Sequence, residues 1–385
     1  MNKYSYKRKN CRLCNSKSIT KVLDIPSSQP VDGFREQSHQ YLSLPRFGMD
    51  LYICNECGHH QLLDVIDPDI LYGSYIYTSS SSPDLEVHFS NYASYLNSLS
   101  LISKNISILD IGCNDGLFLK KLKKFNDNLY GLDPAPNIKQ KSKEEVYKLY
   151  EGYCSQSNIQ KILNNHNIKD FGLITANNVF AHADNLEEML DSISSALNSK
   201  GYFCFEVSYI LDMVESKVVD YIYHEHLSYH GIKSLEPFLK KKGLYIFDIK
   251  RIKTKGGSIR VICSKESSKE NKDLVKDFIK LEKDAGCYLE ETFSKISSQI
   301  EVYKKEILDA LDNFDDNLYI YSYGAAPTSI VNSLLLDYEN LLSAYIDDNP
   351  IRQNKLSPNT FVPVLSSEII ASTFKPVVII GAWRF

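Results

Sequence analysis

A chain of 385 residues is long enough for two or three domains rather than one core. Its composition, 43% hydrophobic and 24% charged, is ordinary for a globular protein, and a net charge of -4 lacks the basic surplus of a nucleic-acid binder. No apolar run is long enough to cross a bilayer, and Met1-Asn2-Lys3-Tyr4-Ser5 leads into basic residues rather than a secretory signal. The expected location is the cytoplasm, with no nucleic-acid or membrane partner.

Nine cysteines is a high count for a reducing compartment, where paired cysteines point to metal or catalysis before disulfides. The first ten residues are basic, polar and expected to be loose. Cys11-Arg12-Leu13-Cys14 and Cys54-Asn55-Glu56-Cys57 then form two CxxC knuckles. Each sets two thiolates on one side of a tight turn, and together they complete a tetrahedral, structural zinc site. A disulfide pair or unrelated thiols are the alternatives. His59 and His60 follow closely, as a substitute ligand or in a polar surface role. Residues 1–70 are read as this zinc module.

A run of serines after Leu71–Tyr77 reads as a solvated linker or flap. Residues 84–101 read as a helix, with apolar residues at Leu85, Phe89, Tyr92, Tyr95, Leu96 and Leu99. Strands and helices then alternate: Ser107–Ile111, Leu117–Phe125, Asn128–Leu132, Leu173–Asn177, Leu186–Leu197 and Gly201–Val207. Such alternation implies a parallel, doubly wound sheet. Gly243–Ile249 and Ser258–Cys263 add strands and complete a unit over residues 71–265. Residues 266–312 read as one or two long charged helices. The alternation restarts at Leu318–Tyr321 and runs through Thr328–Leu336, Leu342–Ile346 and Val377–Ile380, giving a second unit over 266–385. The fold class is therefore α/β: a small zinc module, a central Rossmann-like domain and a second Rossmann-like domain.

Asp110-Ile111-Gly112-Cys113-Asn114-Asp115-Gly116 joins an apolar strand to a helix. Its glycines let the backbone turn tightly and approach a ligand closely. Asp110 stands near the strand tip, where an acid can take an amino group. Asp133 ends the next strand, where a doubly wound fold places an acid for ribose hydroxyls. The three-glycine phosphate fingerprint is absent, which favours S-adenosylmethionine (SAM) over a nicotinamide cofactor. An ordinary strand–turn–helix connection is the bland alternative.

The densest chemistry lies in Tyr221-Ile222-Tyr223-His224-Glu225-His226-Leu227-Ser228-Tyr229-His230. Extended, the stretch sends Tyr223 and Glu225 one way and His224 and His226 the other; turned, the two sets converge. Histidine is a suitable base near neutral pH, and a nearby carboxylate can orient it. Tyrosine can stabilise an enolate oxygen. A zinc-protease helix is excluded, because Ser228 and Leu227 stand where its second His or its Glu is needed. Metal binding by His224, His226 and His230, or a packing cluster, remain as alternatives.

Together these residues resemble the sugar C-methyltransferases, which act on nucleotide-linked 4-keto-deoxysugars. Four blocks carry the resemblance over nearly the whole chain. They are the cysteine module ending in Cys54–Leu62; Asp110–Gly116 with Asn177-Asn178-Val179-Phe180-Ala181-His182; Tyr223–Tyr229 with Gly256-Gly257-Ser258-Ile259-Arg260; and Tyr323-Gly324-Ala325-Ala326 with Ile346-Asp347-Asp348-Asn349-Pro350. The resemblance implies methyl transfer to carbon, usually C3, with His226 as base and Tyr77, His182, Tyr223 and Glu225 lining the sugar. It implies SAM contacts at Asp110, Gly112, Asn114, Asp115, Gly116, Asp133, Asn177 and Asn178. It implies a nucleotide sugar held by Tyr323, Gly324, Ala325, Asp347 and Asn349, and zinc held by Cys11, Cys14, Cys54 and Cys57. Pro327-Thr328-Ser329-Ile330 departs from the family, which has a basic residue and a Gly-Asn pair there; Arg260 is the substitute phosphate contact. Asp133 replaces a frequent Glu. A further element is expected after Trp383-Arg384-Phe385. A monomer is expected, and an O- or N-methyltransferase or a non-catalytic SAM-binding zinc scaffold are the rival functions.

Overall fold

The computed structural model describes residues 4–39, 44–72, 79–81, 83–135, 147–314 and 318–383. The N-terminal part holds β1 (Ser5–Lys7), β2 (Ile19–Leu23), β3 (Arg35–Glu36), β4 (Leu51–Cys54), β5 (His60–Leu62) and β6 (Asp64–Ile66), then the short helix α1 (Pro68–Tyr72). From residue 4 onward the first ten residues are not loose: β1 pairs antiparallel with β6, Ser5 opposite Ile66.

The central part opens with helix α2 (Pro83–Ser98). Proline at its first position and Asp84 and Glu86 in its first turn suit a helix start. Leu85, Phe89, Tyr92, Ala93 and Leu96 are buried along one stripe. There follow β7 (Ile108–Ile111), α3 (Leu117–Leu122), β8 (Leu129–Asp133), β9 (Lys148–Glu151), α4 (Gln156–His166), β10 (Phe171–Asn177), α5 (Leu186–Ala196) and β11 (Leu197–Ser208). Asn185 caps α5, accepting from the Glu188 backbone N–H at 3.2 Å and donating to the Glu188 carboxylate at 2.8 Å. Next come α6 (Ile210–Ser216), β12 (Ser228–Tyr229), α7 (Ile232–Lys241), β13 (Tyr245–Ile252) and β14 (Ser258–Ser264).

These strands form a seven-stranded sheet in the order β13-β14-β11-β10-β7-β8-β9. The sheet is mixed, which corrects the all-parallel expectation: β14 runs antiparallel to both β11 and β13. The inner strands β7 and β10 are buried almost throughout and mainly apolar, as strands covered on both faces are, and the buried polar pair Asp110 and Thr175 bond each other. β7 and β10 run parallel, and the order in which strands are added reverses between them, so their carboxyl ends open the crevice where doubly wound folds bind ligands.

Helices α8 (Lys272–Asp284) and α9 (Glu290–Asp312) lead to the C-terminal part. It contains β15 (Ile320–Tyr323), α10 (Pro327–Leu335), β16 (Ala344–Ile346), β17 (Lys355–Leu356), β18 (Val364–Leu365), α11 (Glu368–Ser372) and β19 (Val377–Ile380). Its sheet, β18-β16-β15-β19, is wholly parallel.

Two pairings stitch distant parts of the chain together. β12 completes the N-terminal sheet, order β12-β5-β4-β2, with Ser228 opposite Gln61 and Tyr229 opposite His60. β17 pairs with β3, Lys355 opposite Glu36. His59 and His60 are buried under this seam rather than on the surface. His59 bonds the Ser228 hydroxyl at 3.2 Å, and His60 packs 5.2 Å from the Phe293 ring. Among the described residues no helix is long and apolar enough to cross a membrane.

Candidate active site

The loop after β7 is shaped by left-handed backbone at Gly112 (φ 68°), Asn114 (φ 50°) and Gly116 (φ 81°). A Cβ on Gly112 would stand 2.0 Å from Val179 Cγ2, so only glycine fits. Asp133, buried at the end of β8, accepts from the backbone N–H groups of Asn114 and Ala135, both at 2.8 Å. Asp110 lies deeper than its place at the strand tip suggested. It accepts from the Thr175 hydroxyl at 2.6 Å, and burial pushes its carboxyl up to about 7. This bond ties β7 to its neighbour β10 just below the loop. The serine run is not wholly a solvated linker: Ser79 and Ser80 donate backbone N–H groups to Asn114 and Asp115, at 2.9 and 3.0 Å.

Asn177 ends β10 with both amide atoms buried and without a protein partner among the described residues, and Asp115 Oδ1 is likewise orphaned. Buried polar atoms left unmatched cost stability, so such atoms beside a tight glycine loop mark a place for a polar ligand. Asn178, at φ 55°, donates its N–H to the Glu206 carbonyl at 2.7 Å. SAM fits this set: loop N–H groups, an acid at the end of β8, and an unsatisfied amide.

The histidine stretch is turned rather than extended. The His226 N–H bonds the Tyr223 carbonyl at 2.8 Å, which brings their rings to 4.2 Å between centroids. His226 Nδ1 donates to the Tyr221 carbonyl at 2.8 Å, leaving Nε2 as the basic nitrogen. The His182 ring stands 5.1 Å from His226 and stacks on Tyr72, whose hydroxyl lies 3.3 Å from His182 Nδ1. One short loop links the two centres: Val179 presses on Gly112, and His182, bonded back to the Val179 carbonyl, faces His226. Glu225 is buried within electrostatic reach of an Asp32–Arg352 ion pair of 3.0 Å. Burial, reinforced by Asp32, raises its carboxyl well above the usual carboxylate range. The Asp32 carboxyl is itself raised, because burial outweighs the Arg352 guanidinium.

The histidines do not converge on a metal. His224 Nε2 points at the Phe47 carbonyl and His230 Nε2 at the Phe180 carbonyl. Arg260 does not face a phosphate site. It stands directly opposite Glu206 in the sheet, 3% exposed, pairs with it at 2.8 Å and lies over the Tyr92 ring. Its guanidinium is spent inside the core. Tyr77 lies outside the described residues. Tyr72, beside His182, and the Asp32–Arg352 pair, within electrostatic reach of Glu225, are neighbours that the pattern of motifs did not single out.

In the C-terminal part, Gly324 has φ 105°, and a Cβ there would meet Ala382 at 2.4 Å. Asp347 accepts from the Ala325 N–H at 2.8 Å through one oxygen and the Asn349 N–H at 2.8 Å through the other. Tyr323 donates to Asp348 at 2.5 Å. These residues gather at the carboxyl ends of β15 and β16, beside the start of α10.

Cys11, Cys14, Cys54 and Cys57 bring their four sulfurs within 4.8 Å of one another, Cys11 to Cys57 at 3.6 Å and Cys14 to Cys54 at 3.4 Å. All four are free thiols. The spacing suits zinc, whose bonds to sulfur of about 2.3 Å set tetrahedral edges near 3.8 Å. Four sulfur ligands leave no open position, so the metal is structural.

Three family models match the chain in order: a zinc binding domain over residues 11–72, a methyltransferase domain over 87–248, and a C-methyltransferase C-terminal domain over 253–385. The C-methyltransferase NovU of Streptomyces niveus is 23% identical over 97% of this chain and 90% of its own. A malonyl-[acyl-carrier protein] O-methyltransferase of Calditerrivibrio nitroreducens is 29% identical over 28% of this chain and 42% of its own. Among solved structures, magnesium protoporphyrin IX methyltransferase of Synechocystis PCC 6803 with bound S-adenosylhomocysteine matches 47% of this chain and 83% of its own, at 13% identity and a TM-score of 0.36. A SAM-dependent methyltransferase of Aquifex aeolicus matches 50% and 100%, at 12% identity and a TM-score of 0.37. The chain is a SAM-dependent methyltransferase. Along its length it matches, in order, a zinc binding domain, a methyltransferase domain and a C-methyltransferase C-terminal domain.

Proposed function

We propose that the acceptor is a nucleotide-linked 4-keto-deoxysugar and that methyl transfer is to C3, beside the ketone. The observation that carries this reading is the His226 turn. A histidine with its Nδ1 anchored and its ring enclosed by Tyr223 and His182 stands one short loop from the cofactor crevice. That is the equipment for removing a proton from a carbon acidified by an adjacent carbonyl.

SAM supplies an electrophilic methyl group when bound. In the proposed step His226 Nε2 takes the C3 proton, and the electron pair moves toward the ketone oxygen. We assign the hydrogen bonds to that oxygen and its neighbours to Tyr223, His182 with Tyr72, and Glu225, whose burial favours the neutral carboxyl. The enolate carbon then forms its bond to the methyl carbon, sulfur leaves as a neutral thioether, the ketone re-forms, and His226 releases its proton to water. The same short loop ties His182 to the glycine loop, so acceptor and donor are held in one frame, and positioning contributes a large part of the rate.

We assign SAM binding to the Asp110–Gly116 loop with Asp133, Asn177 and Asn178. The nucleotide is assigned to Tyr323, Gly324, Ala325, Asp347 and Asn349. The acidity of Asp347 and Asp348 favours sugar hydroxyls over phosphates there. The unit boundaries near residues 70 and 265, a cytoplasmic location and a monomeric state belong to the same reading.

The test is exchange of the C3 hydrogen with deuterated water. Nucleotide 4-keto-deoxysugars are incubated with the protein and S-adenosylhomocysteine and followed by NMR. Exchange that needs His226 supports the reading; turnover on an alcohol or amine without exchange overturns it.

A further inference from the structure

Arg12 lies between two of the zinc ligands, yet its side chain points away from them and is buried without exposure. Its Nε donates to Asp184 Oδ1 at 3.0 Å. Its Nη1 donates to the Gln61 amide oxygen at 3.2 Å, to the Leu227 carbonyl at 3.2 Å, and to the Leu62 carbonyl. Asp184 follows His182 by two residues, and Leu227 follows His226 by one. One guanidinium therefore grips both loops that carry the facing histidines. Their backbones are also joined directly, the Ser228 N–H donating to the Ala181 carbonyl at 3.1 Å. Arg8 and Tyr6 hold Asp184 from the outer side, Arg8 at 3.0 Å. In total three side chains of the N-terminal segment converge on one carboxylate beside His182.

We infer that Arg12 is a positioning residue that sets the distance between His182 and His226 from inside the zinc knuckle. The inference rests on the assignment of those histidines to the acceptor. A planar guanidinium with several fixed donors can span two loops at once, whereas an ammonium binds as a single point. The bridge gives the structural metal a part in the reaction without contact to it. Zinc fixes the Cys11–Cys14 turn, the turn fixes the origin of Arg12, and Arg12 fixes the two loops. Among the described residues Arg12 has no hydrogen bond or ion pair to the cofactor loop, so SAM binding stands outside this chain of dependence.

The variants Arg12→Gln and Arg12→Lys test it, with Asp184→Asn as a milder break that leaves the knuckle whole. Zinc content, SAM affinity by calorimetry, and kcat and KM for the acceptor are read for each. The expected result for both Arg12 variants is full zinc, unchanged SAM affinity and a kcat lower by about a hundredfold, the scale of a misplacement near 1 Å. Lysine does not rescue, because it keeps the charge and loses the span. Asp184→Asn shows a smaller fall in kcat alone. Wild-type kcat in zinc-loaded Arg12→Gln overturns the inference, and so does a loss that tracks zinc or SAM binding. If the Arg12 variants do not fold, unchanged kcat in Asp184→Asn overturns it. His226→Ala run alongside separates the two readings: if it keeps full turnover, the assignment of the histidines fails, and not only the role of Arg12.

Discussion

The mixed seven-stranded sheet and the parallel four-stranded sheet end in crevices built alike, yet the polar groups that each leaves unmatched among the described residues differ in kind. At the end of β7 the glycine loop is closed by contact with Val179, and buried polar atoms of Asn177 and Asp115 are left unmatched. At the end of β15 Gly324 is as tightly enclosed, but both oxygens of Asp347 are taken by the backbone of their own loop. Each crevice uses an acid, Asp133 or Asp347, to fix its own loop; the first keeps an amide and a carboxylate oxygen in reserve for a ligand, the second the hydroxyls of Ser322 and Ser329. A shared fold therefore locates two ligand crevices without making them equivalent, and the residues at the strand tips decide what each can hold.

The comparison can be broken in graded ways. The largest effect belongs to the junction between the crevices. His226→Ala is expected to lower turnover by about 10²- to 10⁴-fold while calorimetry finds SAM affinity unchanged. A parallel loss of SAM binding would mean that the two centres are not separable. Next is Asp133→Ala, which removes an acceptor that organises the glycine loop and is assigned to the ribose. We expect SAM affinity to fall by about tenfold to a hundredfold, as for hydrogen bonds to a charged group. Asp347→Ala loosens the second loop instead. Its expected mark is a rise of about tenfold in KM for the nucleotide sugar, the cost of about 1.4 kcal/mol, with SAM affinity untouched. If both aspartates altered SAM binding equally, the division between crevices would be wrong.

The smallest effect is on stability. Asp110 has its folded carboxyl raised from 3.8 to about 7 by burial, so the folded chain keeps a proton that the unfolded chain releases. Its contribution is complete below the unfolded value and is lost as pH rises through about 7. Asp110→Asn should remove that decline and raise the melting temperature by a few °C at pH 8, the shift expected from about 1 kcal/mol. A thermal scan at pH 4 and pH 8 checks it; the same slope in the variant would count against it.

The parts that were legible in the sequence are those in which chemistry is local. The Gly112–Gly116 turn, the knuckles at Cys11 and Cys54, and the apolar strands carry their signals within a few residues. The resemblance carried the rest of the family reading. What stayed illegible depends on contacts between distant positions. Arg260 reads as a spare cation in Gly257-Ser258-Ile259-Arg260, and only sheet register sets it opposite Glu206. His59 and His60 read as polar residues until β12 and α9 cover them. Nothing near Asp32 or Tyr72 announces a site, because each reaches it from another element. The antiparallel β14 follows from a reversal after β13 that hydrophobic pattern alone does not specify.

The seam between β5 and β12 has a consequence for synthesis. The thiolates of the zinc module are all present once Cys57 has emerged, but the strand that covers β5 is not. His59 and Ser228 are 169 residues apart, which at a ribosomal rate of 5–20 residues per second is a wait on the order of ten seconds or more. During that interval β5 is an open sheet edge beside the still uncovered His59 and His60, a surface other nascent chains can pair with. The metal can close the knuckles early, and the last strand of the sheet arrives together with the histidine turn.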